Sequence, residues 1–165
     1  MNHSIISVLA VSLVSASAFA ADVAASSRPP VAKRVSVVLQ CPAGARQITT
    51  PEEAYCSKGG GVGQETLNGP FVEMHANGVK AAEGNYVDGN REGHWVFYDE
   101  GGKKRGEIEF KGDHFHGRRV VFTADGKLQV EEQWVMGKRQ GTSKSYDADG
   151  KVTLTQFKDD LAVAQ

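Results

Sequence analysis

From residue 68 onward, short apolar runs alternate with polar turns, and the alternation itself repeats. Glycines at 69, 93, 117 and 141 stand 24 residues apart, and a second set, Gly78, Gly102, Gly126 and Gly150, lies nine residues further on. Self-similarity at a fixed period marks a chain built from stacked supersecondary units. Each unit opens on a β-prone run such as Trp95-Val96-Phe97-Tyr98. It then passes a polar turn ending in glycine (Asn77-Gly78, Gly101-Gly102, Asp125-Gly126, Asp149-Gly150) and runs on to an aromatic: Tyr86, Phe110 or Trp134. In the fourth unit that aromatic, Phe157, comes one position early. Asp-Gly and Asn-Gly between β-prone runs are strong hairpin signals, because glycine tolerates positive φ. The pattern predicts an all-β fold of repeated antiparallel hairpins, with about eight strands over residues 68–160.

Strand side chains alternate between faces. The first strands place Val72 and Met74, Val96 and Tyr98, and Val120 and Phe122 on one face, with Lys144 and Tyr146 in the last unit. That face is expected to be the core, joined by Ala82, Ile108, Phe110, Val130, Trp134 and Leu154 from the second strands. The other face of the first strands carries Phe71, Trp95, Phe97 and Val121 before fading to Ser143 and Ser145. Those four residues are either an exposed binding surface or a layer packed under a neighbouring strand or the Cys-bearing segment.

The chain ahead of the repeats reads differently. The first twenty-one residues contain no Lys, Arg, Asp or Glu, and an apolar run from Ile5 leads into Ser17-Ala18-Phe19-Ala20-Ala21. This predicts a signal peptide over residues 1–21, cleaved near Ala20 or Ala21, and a periplasmic or secreted protein. No later run approaches the ~20 apolar residues of a membrane helix. Residues 22–40 read as a flexible lead-in. Residues 41–67 hold the two cysteines, Cys41 and Cys56, and the Gly-rich joint Gly59-Gly60-Gly61-Val62-Gly63. In an oxidising compartment the cysteines are expected to form a disulfide. A redox pair would sit closer in sequence, and a zinc site needs four ligands. Thr50-Pro51-Glu52-Glu53 carries a cap signal for one helical turn.

Charge and chemistry narrow the function. Nineteen basic and twenty acidic residues give a net charge of −1, so no global field favours nucleic acid. The Gly-rich joint lacks the Gly-Lys-Ser/Thr ending of a phosphate loop. Glu83, Glu107 and Glu131 recur once per unit. At two strand spacings, roughly 9–10 Å, they read as a solvated carboxylate column rather than an acid–base pair. Asp113-His114-Phe115-His116, with His94 one unit earlier, has metal-ligand character but no assured third ligand. No nucleophile arrangement stands out. The expectation is a protein that is not an enzyme and needs no metal or cofactor.

The stretches Asn77-Gly78-Val79-Lys80 to Glu83-Gly84-Asn85-Tyr86, and Arg91-Glu92-Gly93-His94-Trp95-Val96-Phe97-Tyr98-Asp99, resemble the bacterial MORN-like repeats of the YwqK-type antitoxin family. The resemblance covers residues 68 to about 158 and implies a single-layer or curled sheet of stacked hairpins with no catalytic residues. The last unit departs from it, with Ser143 and Lys144 where apolar residues are usual, as a water-facing terminal cap would. The family's label implies neutralisation of a partner protein. The expected function is therefore protein–protein interaction in the cell envelope, with Phe71, Trp95, Phe97 and Val121 as candidate anchors. The alternative is an envelope glycan or other polymer stacked on exposed aromatics.

Overall fold

A computed structural model describes residues 37–60 and 64–163. The expected signal peptide, most of the lead-in, and Gly61, Val62 and Gly63 of the joint lie outside the described residues. Among those described, eleven strands form one antiparallel sheet in strict sequence order. They are β1 (Ala45–Thr49), β2 (Glu53–Lys58), β3 (Thr66–Met74), β4 (Lys80–Val87), β5 (Asn90–Tyr98) and β6 (Lys104–Lys111). The sheet continues with β7 (His114–Phe122), β8 (Leu128–Val135), β9 (Lys138–Tyr146), β10 (Val152–Lys158) and β11 (Leu161–Val163).

The all-β hairpin fold matches the expectation, but the strand count of eleven exceeds about eight. The eight repeat strands are β3 to β10. The surplus comes from β1 and β2, which the Cys-bearing segment adds to the sheet, and from the short β11. Cys41 and Cys56 are joined, their Cα atoms 5.5 Å apart. The disulfide packs against the first leading glycine, where a Cβ on Gly69 would meet Pro42 and Cys56 within 3 Å. The helical turn expected at Thr50 is instead the β1–β2 connection. Thr50 Oγ1 accepts the N–H of Glu52 and of Glu53, so the cap bonds form, but a carbonyl–amide bond between Glu53 and Thr50 closes a hairpin.

Two kinds of turn alternate. Within each unit, the N–H of the second-column glycine donates to the carbonyl three residues back, as from Gly102 to Asp99 at 2.9 Å. Asp99 and Asp147 also accept turn amides on their side chains. Between units, two-residue loops with both φ positive close tight hairpins: Asp88-Gly89, Gly112-Asp113, Met136-Gly137 and Asp159-Asp160. Each loop then donates one N–H to a carbonyl of the preceding hairpin: Leu67, Arg91, Phe115 or Arg139. These bonds tie one unit to the next.

Pairing explains the leading glycine. Gly69, Gly93, Gly117 and Gly141 each stand opposite the closing aromatic of their own unit: Tyr86, Phe110, Trp134 and Phe157. All four have positive φ and lie where the ladder to the preceding strand slips. The displaced Phe157 has the same cause in reverse. Units one to three carry a bulge early in the second strand, its extra residue being Ala81, Arg105 or Gln129. Unit four pairs Tyr146 with Val152 and Ser145 with Thr153 without a bulge. Its second strand is one residue shorter, and Phe157 still reaches Gly141.

Register also corrects the assignment of faces. Directly opposed residues of an antiparallel pair share a face. Trp95 pairs with Ile108, Phe71 with Tyr55, and Phe97 with Ala82. The second-strand residues Ala82, Ile108, Phe110, Val130 and Trp134 therefore lie with Phe71 and Trp95, not with Val72, Val96 and Val120. Only Leu154, through Lys144, stays on the valine face as expected. Both faces bury apolar side chains, and the aromatic core of Phe71, Trp95, Ile108 and Phe110 sits on the face expected to lie opposite the core.

Candidate functional site

The aromatic face is built as a row. Centroid separations of 5.6 Å (Phe71–Trp95), 5.9 Å (Trp95–Phe110), 5.1 Å (Phe110–Phe115) and 5.2 Å (Phe115–Trp134) link rings across the sheet from β3 to β8. Most contacts are edge-to-face or tilted, as ring quadrupoles favour. Trp95 lies over Gly84, where a Cβ would come within 2.2 Å of the indole, and its Nε1 donates to the Asn85 carbonyl at 3.3 Å. In the next unit the corresponding pair is no longer apolar. Arg119 and Glu132 face each other with Nη1 and Oε2 2.6 Å apart.

One position in this face is left open. Gly106 pairs with Phe97 on one side and Val121 on the other. The equivalent residues are Ala82 one unit earlier and Val130 one unit later. A cleft of about 290 Å³ opens here, floored by Gly106 and Ile108 and walled by Phe97, Phe110, Phe115 and Val121. Arg91, Arg105 and Arg119 stand around it. Arg91 stacks its guanidinium 4.2 Å from the Phe110 centroid and donates through Nε to Asp113 at 2.8 Å. These hydrogen bonds from Arg91 hold the Asp113 carboxyl below its ordinary pKa. Arg105, the bulge residue, is half-buried, while its neighbour Lys104 takes Glu107 at 3.3 Å. Among the described residues Arg105 has no acidic partner.

The four expected anchors separate. Phe71 and Trp95 are buried in the aromatic row, 8% and 3% exposed, so they offer no free surface. Phe97 and Val121 are half-buried, and both line the cleft. The expectation overlooked Gly106, Arg105, Arg91 and Arg119. The Ala-Gly-Val series at 82, 106 and 130 is the signal that would have found the opening.

The opposite face is closed by pairing. Val72, Val96 and Val120 alternate across it with Glu83, Glu107 and Glu131. Glu83 meets Lys80 at 2.7 Å and the Tyr98 hydroxyl; burial raises its pKa, but these bonds outweigh it and the net shift is downward. Burial first, and then the bond to Glu83, push the Tyr98 phenol up to about 12. Glu107 meets His94 at 3.1 Å and Lys104. Glu131 meets Arg118, Lys144 and the Tyr146 hydroxyl. The carboxylate column is thus ion-paired rather than simply solvated. His94 also contacts Glu109 at 3.0 Å, and His116 stands across from Glu109, while His114 is exposed at a hairpin end. Among the described residues no group of three His, Cys, Asp or Glu is placed to hold a metal ion.

Comparison with known proteins gives one family. The MORN repeat variant matches at residues 91–111 and again at 139–159, in the second and fourth units. Both matches begin on an arginine, Arg91 or Arg139, that lies over the closing aromatic of the same match, 4.2 Å from Phe110 or 4.1 Å from Phe157. No curated protein matches the chain. Among solved structures, the crystal structure of GtfA/B complex bound to UDP and GlcNAc is similar at 11% identity and a TM-score of 0.26. That alignment covers 78% of this chain, which spans only 28% of the other.

Proposed function

For this MORN-like repeat protein, we propose a role as a non-catalytic protein-binding module of the cell envelope, using the aromatic face of its sheet. The observation that carries this reading is the cleft at Gly106. It has an apolar floor, walls that are only half-buried at Phe97 and Val121, and at its mouth an arginine, Arg105, without an acidic partner among the described residues. Apolar pockets rimmed by arginine are where binding energy concentrates in protein interfaces. The saturated pairing of Glu83, Glu107 and Glu131 favours a non-catalytic role, since none of the three is left free to act as a base. The resemblance to the antitoxin family extends the proposal to neutralisation of the bound partner. Export through the expected signal peptide places that encounter in the periplasm or outside the cell. A glycan-stacking role has less support on this face, because the rings of Phe71 and Trp95 are buried there.

A photo-crosslinking side chain introduced at Gln129 tests the reading. This exposed residue occupies the place of Arg105 one unit on. In envelope fractions it should attach one dominant protein, whereas the same group at Asp149, in the fourth-unit turn, should not. Equal labelling from both positions, or none from Gln129, would remove the basis for a binding face. Mass measurement of the exported chain should show a new N-terminus near Ala21, and an intact Met1 would contradict export.

A further inference from the structure

The cleft is specific enough to describe what enters it, an inference that rests on the binding-module reading and deepens it. Its volume, about 290 Å³, lies at the bottom of the ~300–1,000 Å³ range of small-molecule pockets and suits one bulky side chain. Gly106 lines it without a side chain, in a row that alanine and valine occupy in the neighbouring units. The walls Phe97, Phe110, Phe115 and Val121 come from three adjacent strands, so the opening faces outward from the sheet. A side chain projecting from a segment laid over the face can enter while its backbone stays outside.

The charges at the mouth are asymmetric. Arg91 and Arg119 are each occupied, by Asp113 at 2.8 Å and Glu132 at 2.6 Å. Arg105 stands beside them with no acid among the described residues, because Glu107 is turned to Lys104 and His94. A guanidinium held beside apolar surface is weakly hydrated and presents a planar fork that matches a carboxylate. The geometry points to one occupant: a segment of a partner protein in which a bulky apolar side chain fills the gap over Gly106 and a neighbouring Asp or Glu pairs with Arg105. Cationic segments are disfavoured by the three arginines, and a purely apolar segment leaves Arg105 covered without a partner.

Selection of a random heptapeptide display library on the disulfide-bonded chain tests this. The enriched peptides are then titrated on the chain and on Arg105→Glu and Gly106→Val. The expected peptides pair one bulky apolar residue with Asp or Glu, and each variant weakens them by about tenfold or more. Arg105→Glu removes no ion pair among the described residues. Valine at 106 copies Val130, although its Cβ comes 3.0 Å from the Val120 carbonyl oxygen. Melting temperatures are therefore measured for both variants, and if Gly106→Val does not fold, Arg105→Glu alone decides. Peptides without an acid, or peptides bound equally well by Arg105→Glu, overturn the assignment. So does sodium decanoate binding in an Arg105-dependent way when no peptide does, which would give the gap to a free apolar acid. Should the inference fail while the Gln129 cross-link persists, the binding-module reading stands; loss of both removes both.

Discussion

Gly84 and Gly93 show that glycine is required in this sheet for two separable reasons. At Gly93 φ is +70° and nothing lies within 4 Å of the position a Cβ would take, so Gly93→Ala meets backbone strain alone, about 1–2 kcal/mol. At Gly84 a Cβ would stand 2.2 Å from the Trp95 ring, which is itself fixed by Phe71, Tyr86 and Phe110. Gly84→Ala should cost about 2–3 kcal/mol by overpacking, and it alone should change the near-ultraviolet circular dichroism of Trp95. A normal tryptophan signal in a fully folded Gly84→Ala variant would show that the aromatic row shifts at little cost. Acid stability is a residue-scale matter too. Hydrogen bonding from Arg118, first, and the charges of Arg118 and Lys144 hold the Glu131 carboxyl below its ordinary 4.5, against a smaller opposing effect of burial. A carboxyl whose folded pKa is depressed contributes fully above its unfolded value, and that contribution is lost as pH falls through the folded one. Melting temperature followed from about pH 7 down to about pH 3 should therefore fall less steeply for Glu131→Gln than for the parent chain, from a lower starting point. Parallel curves would mean that the pairing contributes nothing to stability.

At the scale of the strand, the bulge is the device that sets register. Deleting Gln129 should convert the third unit to the bulge-free geometry that the fourth already uses, leaving Val130 opposite Val121 and Trp134 opposite Gly117. Deleting Glu132, beyond the bulge, should instead move Trp134 to the other face, because strand faces alternate at every residue. Fluorescence quenching by iodide separates the outcomes: Trp134 accessibility should stay near the parental value in the first variant and change in the second. The same device explains what the sequence did and did not disclose. Period, hairpins and turn glycines were legible because positive φ restricts residue choice at fixed offsets, as at Gly102 and Gly126. The faces were not, because Val96 and Trp95 are equally apolar and only the pairing of Trp95 with Ile108 decides which rows meet. The early position of Phe157 was legible, but its cause, one absent bulge residue, was not. Of the site, Phe97 and Val121 were legible as apolar residues, but the cleft between them leaves no mark in the sequence beyond the Ala-Gly-Val series at 82, 106 and 130.

Among the described residues the sheet has no long-range closure. Strand order follows sequence order from β1 to β11, and the principal contacts join consecutive strands only. Stability in such an arrangement approximates a sum of units and nearest-neighbour interfaces, so opening can begin at an edge and stop part-way. The two edges differ in protection. At one, β10 and β11 leave Leu154 and Leu161 exposed, 52% and 71%, with the Arg139–Asp160 pair as a tie at 3.1 Å. At the other, the disulfide buries Cys56 completely and sets Pro42 against Gly69, binding the β1–β2 hairpin to the first repeat. Closing a loop of this length contributes about 3 kcal/mol if the constraint on the unfolded chain dominates. In a sheet without closure that contribution belongs to the edge rather than to the centre. Hydrogen exchange on the Cys41→Ser/Cys56→Ser variant should therefore show amides of β1 and β2 losing protection by about this amount, with β5 to β8 unchanged within about 0.5 kcal/mol. An equal loss in every strand would mean that the eleven strands unfold as a single cooperative unit, and the cleft at Gly106 would then depend on the disulfide from several strands away.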